Sequence, residues 1–134
     1  MTFYEKELHR IRSIVYSNQE QINTVISIRN DIEKNFEGNL NLDLLSHNQF
    51  VSKYHLLRLF KKYYGLTPRQ YLIDVRIEKS KELLKNGVSV TETCFAVGFE
   101  SLGSFSTLFK TKTGKSPSKF QKEQLSRNKI DSEC

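Results

Sequence analysis

The chain has 134 residues, enough for one domain or two very small ones. Apolar residues are 37% and charged residues 27%, while only two prolines and six glycines occur. This balance suits a soluble fold with several small cores and speaks against a turn-rich β protein. There is no apolar run long enough for a membrane span, and the start, MTFYEKELHRIR, lacks the basic-then-apolar layout of a secretory signal. The cytoplasm is the expected compartment.

The net charge of +6 is unevenly spread: residues 1–40 hold five Lys/Arg against six Asp/Glu, and residues 41–134 hold sixteen against nine. A basic body behind a nearly neutral start suggests a polyanionic partner. Two cysteines, Cys94 and Cys134, and three scattered histidines, His9, His47 and His55, form no zinc-ligand spacing. No cofactor or metal is expected. There is no carboxylate pair, nucleophile–base pair or phosphate loop, so an enzyme is not expected either.

In chain order, the first feature is a heptad pattern. Leu8, Val15 and Ile22 occupy a positions, and Tyr4, Ile11, Asn18 and Val25 occupy d positions. One reading is a short coiled coil that pairs two copies through residues 4–25. The other is a single amphipathic helix packed on its own domain. Helix signals then predict segments at about 26–37, 42–49, 53–63, 68–85, 90–97, 102–112 and 117–125. Asn41 can cap the second of these, with Asp43 in its first turn. Ser52 and Ser101 are candidate N-caps, Thr67-Pro68-Arg69-Gln70 and Ser89 to Glu92 are capping boxes, and Ser116-Pro117 repeats the cap-plus-proline pattern. Asn86-Gly87 ends the helix begun at Pro68.

Internal similarity is the strongest signal. SKYHLLRLFKKYYGLTPRQY (52–71) matches SLGSFSTLFKTKTGKSPSKF (101–120) with a shift of 49, and upstream LLSHNQFVS (44–52) faces TCFAVGFES (93–101) with one extra residue in the second copy. One supersecondary unit is used twice: a short helix, a tight turn and a second helix. Gly98 suits the turn of the second copy. Phe50 and Val51 occupy it in the first, a local misfit expected to be offset by packing.

Helical projection separates two faces of each second helix. Leu56, Leu59 and Phe60 form one inner face, and Phe105, Leu108 and Phe109 the other. Outward in the first copy lie Tyr54, Arg58 and Lys61, flanked by His55 and Leu57. Outward in the second lie Gly103, Thr107 and Lys110, flanked by Ser104 and Ser106. A helix entering a major groove needs a small apolar inner face and short or basic outer residues. Arg58 suits bidentate contact with guanine, Leu57 a thymine methyl, and Tyr54 a sugar or methyl. Gly103 lets the backbone approach the duplex.

These residues resemble the DNA-binding region of AraC/XylS-type bacterial transcription regulators. The likeness covers about residues 26–120 and rests on Phe60-Lys61, Gly65, Pro68 to Tyr71, Arg76-Ile77, Leu83-Leu84, Val97-Gly98-Phe99, Phe105, Phe109-Lys110 and Gly114 to Phe120. It implies an all-α fold: two helix-turn-helix subdomains (26–66 and 87–125) joined by a long linker helix (67–86), with an extra N-terminal helix (1–25) and a flexible tail (126–134). Carried over by position, the base-facing residues are Tyr54, Leu57 and Arg58 in the first unit and Leu102, Gly103, Ser104 and Thr107 in the second. Expected phosphate contacts are Ser52, Lys53, His55, Lys61, Lys62, Ser101, Ser106, Lys110 and Lys112.

The chain departs from the pattern at Ser46, Cys94 and Ser80, where alanine is usual, at Thr93, where an aliphatic is usual, and at Phe50. The second reading helix also has no arginine or glutamine on its DNA side. The expected function is a sequence-specific regulator of promoter DNA, with RNA polymerase as protein partner. The alternative is a protein-interaction module acting through the N-terminal helix. Many family members carry a separate sensing domain before this region, so the chain is expected to be either stand-alone or the C-terminal piece of a larger regulator.

Overall fold

A computed structural model of the chain describes residues 2–133, with side chains for all of these except 13–17 and 129–133. Among the described residues there are seven helices and no strand. They are α1 (Phe3–Lys34), α2 (Leu42–Asn48), α3 (Lys53–Tyr64), α4 (Pro68–Lys85), α5 (Val90–Ala96), α6 (Leu102–Thr113) and α7 (Pro117–Glu133). Two compact units result. The first holds α1 together with residues 41–68, and the second holds residues 35–40 together with everything from Arg69 onward.

In the first unit, α1 differs from expectation. The expected break near residue 25 is absent, and one helix of 32 residues runs through it. No glycine or proline interrupts residues 3–34, so nothing in the chain stops propagation. The C-terminal third of α1 buries Val25, Ile28 and Ile32, spaced three and four apart. These join Leu56, Leu59 and Phe60 of α3 in the buried set of this unit. Phe60 stacks on Tyr64 with ring centroids 4.8 Å apart. Polar ties fix α1 on its neighbours: Arg29 Nη1 donates to the Tyr64 hydroxyl (3.1 Å) and Gln49 Nε2 donates to Ser27 Oγ (2.8 Å). The N-terminal part of α1 has a different character, with Phe3, Tyr4, Leu8 and Ile11 exposed. Val15, the central heptad position, lies outside the residues whose side chains are described.

The second unit has a continuous core of Ile77, Leu84, Cys94, Val97, Phe99, Phe105 and Phe109, flanked by Phe36, Ile73, Leu83, Val90, Leu108 and Phe120. Four rings run through it as a ladder, Phe99–Phe105–Phe109–Phe120, with centroids 5.2, 5.7 and 5.4 Å apart. These spacings fall in the range where tilted and edge-on aromatic pairs attract. Gln121 Nε2 donates to the carbonyls of Leu84 (3.2 Å) and Val88 (2.6 Å), so α7 closes the exit of α4. Lys115 and Glu123 pair within this unit and hold the Glu123 carboxyl below its ordinary range. Helix α7 continues to Glu133, beyond the expected end at residue 125. Thr93 is fully buried, and its Oγ1 has no hydrogen-bond partner among the described residues.

The repeat is visible atom by atom. Asn41 Oδ1 accepts from Leu44 N and Ser89 Oγ from Glu92 N, so both first helices start alike. Both end in the same left-handed turn. Phe50 N donates to His47 O and Val51 N to Ser46 O; Gly98 N donates to Phe95 O and Phe99 N to Cys94 O. This is the paired bonding that closes a helix through a left-handed residue. The register shift is 48 through these turns and 49 from Ser52/Ser101 onward, so the extra residue of the second copy is Glu100. Phe50 takes the glycine-like conformation, with φ at 55°. The expected packing compensation is not found, because Phe50 is 95% exposed.

Candidate nucleic-acid interface

The second helix of each unit, α3 or α6, is fixed at both ends. Ser52 Oγ accepts from His55 N (3.1 Å) and Ser101 Oγ from Ser104 N (3.0 Å). At the other end Gly65 and Gly114 turn left-handed, and their amides donate to Lys61 O (2.8 Å) and Lys110 O (2.7 Å). Such caps satisfy the terminal amides and carbonyls that a helix leaves free. Both helices also bury an inner face, Leu56, Leu59 and Phe60 in α3 and Phe105 and Phe109 in α6. The orientation of each outer face is therefore set by packing.

In the first unit, Tyr54 is 82% exposed. Arg58, His55, Lys53, Lys61 and Lys62 are exposed as well, and Leu57 is half-buried. Positions 54, 58 and 61 share the side of α3 opposite its buried residues. The cations are not equivalent. Lys53 Nζ pairs with Asp43 at 2.8 Å, and this contact raises the lysine's pKa and keeps it charged. Lys62 Nζ donates to Gln21 Oε1 (3.3 Å) and lies over the Tyr63 ring. Arg58 and Lys61 make no side-chain hydrogen bond or ion pair among the described residues, which leaves their donors available.

In the second unit, Leu102, Gly103, Ser104, Thr107 and Lys110 are exposed on α6 and Ser106 is half-buried. Ser101 Oγ donates to Ser104 Oγ at 3.2 Å, so these two hydroxyls already engage one another. Lys112 Nζ pairs with Asp74 of α4 at 2.9 Å, while Lys110 has no such partner among the described residues. A Cβ built on Gly103 meets only Ser101 Oγ, at 3.8 Å. That is ordinary contact, so the fold itself does not require glycine there. The outer face of α6 offers hydroxyls, one apolar side chain, bare backbone and one free lysine, a surface suited to phosphate and water more than to bidentate base contact.

Sequence reasoning assigned the cations and missed their partners. Asp74 lies 38 residues from Lys112, and no local pattern links them. It also missed Arg69, an exposed residue in the first turn of α4 that lines a groove beside the start of α6. Among the described residues, no group of three or more His, Cys, Asp or Glu is placed to hold a metal ion, and no helix is long and apolar enough to cross a membrane.

Comparison with known proteins bears on this surface. A family model described as a helix-turn-helix domain matches residues 45–123. A helix-turn-helix-type transcriptional regulator from the cgkA 5' region of Pseudoalteromonas carrageenovora is 36% identical over 91 residues, 68% of this chain and 54% of that protein. The bifunctional transcriptional activator/DNA repair enzyme AdaA of Bacillus subtilis is also 36% identical over 91 residues, covering 67% of this chain and 43% of that one. Among solved structures, the DNA-binding domain of AdpA, determined in complex with a target DNA, shares the fold with a TM-score of 0.71 at 22% identity, over 77% of this chain and 94% of that domain. The chain spans about half the length of these curated relatives, or less.

Proposed function

Because the chain belongs to the AraC/XylS-type family of helix-turn-helix transcription regulators, we propose that it binds promoter DNA in a sequence-specific manner and reads two adjacent major-groove segments with α3 and α6. The observation that carries this reading is the duplicated unit itself. Two helices with matched caps, matched exits and buried inner faces each present an outer face free of packing. One of these faces carries Arg58, a guanidinium with no hydrogen bond or ion pair among the described residues, on the side of α3 away from the core.

Tyr54, Leu57 and Arg58 supply base contacts in the first unit, and Leu102, Gly103, Ser104 and Thr107 supply weaker ones in the second. Lys61 and Lys110 are the phosphate contacts ready to act. Lys53, Lys62 and Lys112 must first exchange Asp43, Gln21 and Asp74 for DNA, or serve to brace the helices. Ser52 and Ser101 act chiefly as caps, with His55 and Ser106 at the edges of the contact. Discrimination therefore rests mostly on the first unit. The cytoplasm, with RNA polymerase at the same promoter, is the corresponding setting.

We read the chain as a non-enzymatic regulator. A reactive thiol would be needed for alkyl-acceptor chemistry, and Cys94 is fully buried, where burial pushes its pKa up and suppresses the thiolate. Cys134 lies outside the described residues.

Footprinting of the tagged protein on its own genome identifies the site, and Arg58→Ala then tests the reader. Loss of the guanidinium should cost about 1–3 kcal/mol at one base pair and relax preference there. Retention of full preference by the variant would refute the role given to Arg58.

A second reading is favoured by α1, whose N-terminal part exposes Phe3, Tyr4, Leu8 and Ile11. A homodimer through residues 4–25, or attachment of this helix to another regulator or to RNA polymerase, would cover those side chains. Mass measurement across a concentration series, with and without Leu8→Glu/Ile11→Glu, separates the two cases: a monomer at every concentration rules out the homodimer.

A further inference from the structure

In the second unit, a groove of about 510 Å³ runs between α4 and the start of α6. Its floor is apolar, with Leu72, Ile73 and Leu108, and its rim carries Arg69, Arg76 and Glu100. The two arginines differ in what they do. Arg76 is committed to the fold. Its Nε donates to Phe36 O (2.7 Å), its Nη2 donates to Gly38 O (2.8 Å), and its guanidinium lies over the Phe99 ring, 5.5 Å from the centroid. Glu100, the anion of this rim, is felt by Arg76 as a favourable charge. Arg69 is exposed and makes no hydrogen bond or ion pair among the described residues. Burial lowers the Arg76 pKa and the neighbouring Arg69 charge lowers it further, so the rim holds an exposed guanidinium beside a second cation.

The opposite wall of the groove includes Ser101, the N-cap of α6, and Ser104 in its first turn. A helix lying in a major groove has phosphate strands on both sides, because the groove is only about 12 Å wide. Charges beside the helix start therefore meet a strand rather than a base edge. Resting on the DNA-binding reading above, we propose that Arg69 is a backbone-positioning residue. It clamps one phosphate of the strand that borders the segment read by α6, and so sets the register of a reading helix whose own outer face has few strong base contacts. Glu100, the extra residue of the second copy, lies on the same rim and tempers the local positive charge.

The test uses the full chain on its footprinted site. Arg69→Ala, Arg69→Lys and the unaltered protein are compared by fluorescence anisotropy from 50 to 200 mM KCl. Loss of one phosphate contact should reduce the slope of log K against log salt by about 0.9, with the preference for the site over a point-altered site unchanged. Arg69→Lys should keep the slope, which separates a charge effect from misfolding. Neutral methylphosphonates are then placed one at a time along the strand. At one position beside the second half-site, the unaltered protein and Arg69→Lys should lose affinity several-fold while Arg69→Ala loses none. An Arg69→Ala protein with the original slope and the original sensitivity to every methylphosphonate overturns the assignment while leaving the DNA-binding reading intact. An unaltered protein that prefers no site overturns both.

Discussion

The backbone carbonyl oxygen of Glu37 lies 2.6 Å from the point where a Cβ on Gly98 would stand. The same position is 3.0 Å from Arg76 Nη2, and Gly98 has φ at 102°. Close approach and left-handed backbone both demand glycine here. Gly98→Ala should therefore destabilise the second unit, by about 1–3 kcal/mol for the backbone conformation alone and by more for the displaced carbonyl. Urea unfolding followed by circular dichroism measures it. An unchanged midpoint would mean that the segment carrying Glu37 yields freely.

The equivalent position of the first copy carries Phe50, also left-handed with φ at 55° and 95% exposed. A non-glycine residue there costs about 1–2 kcal/mol, and so exposed a ring has little packing to lose. Glycine would also loosen the unfolded chain, at a cost of about 0.4–1 kcal/mol. Phe50→Gly should therefore raise stability by roughly 0.5–1 kcal/mol, the balance of these two effects. Thermal melting detects this as an upward shift, and a downward shift would show that Phe50 contributes contacts to the native state.

Gly103 presents the opposite case from Gly98. Its Cβ position is open inside the protein, so Gly103→Ala should fold at least as well and gain up to about 0.5 kcal/mol from helix propensity, less than a mid-helix site would give. DNA affinity should fall, since the added methyl stands between backbone and duplex. Melting and anisotropy on the same preparation separate these effects. Unchanged affinity would leave Gly103 without a part in DNA contact.

Thr93 is buried with its hydroxyl unpaired among the described residues. An unsatisfied buried polar group costs about 1–3 kcal/mol, and valine has nearly the same shape. Thr93→Val should stabilise the second unit by about 1 kcal/mol, read as a higher urea midpoint with unchanged slope. Loss of stability instead would reveal a partner for the hydroxyl, such as a buried water.

The duplicated helix-turn-helix plan, the helix Pro68–Lys85 and the inner faces of α3 and α6 were legible in the chain. The signals behind them act over three or four residues: Ser52 reaching His55 N, Ser101 reaching Ser104 N, Gly65 and Gly114 closing on Lys61 and Lys110. Interactions that short are written into adjacent letters, and helical periodicity adds which side is buried. The continuity of α1 was missed although it too is local. The leader carries an apolar heptad register of its own, which in the sequence alone marks it as a separate element. Tertiary structure alone decided which charges are free. Lys112 meets Asp74, Lys62 meets Gln21, and Arg76 meets the carbonyls of Phe36 and Gly38, while Arg58 and Arg69 make no hydrogen bond or ion pair among the described residues. Those pairings join residues about forty positions apart. They depend on how packed helices bring distant side chains together, a geometry that no short stretch of sequence contains.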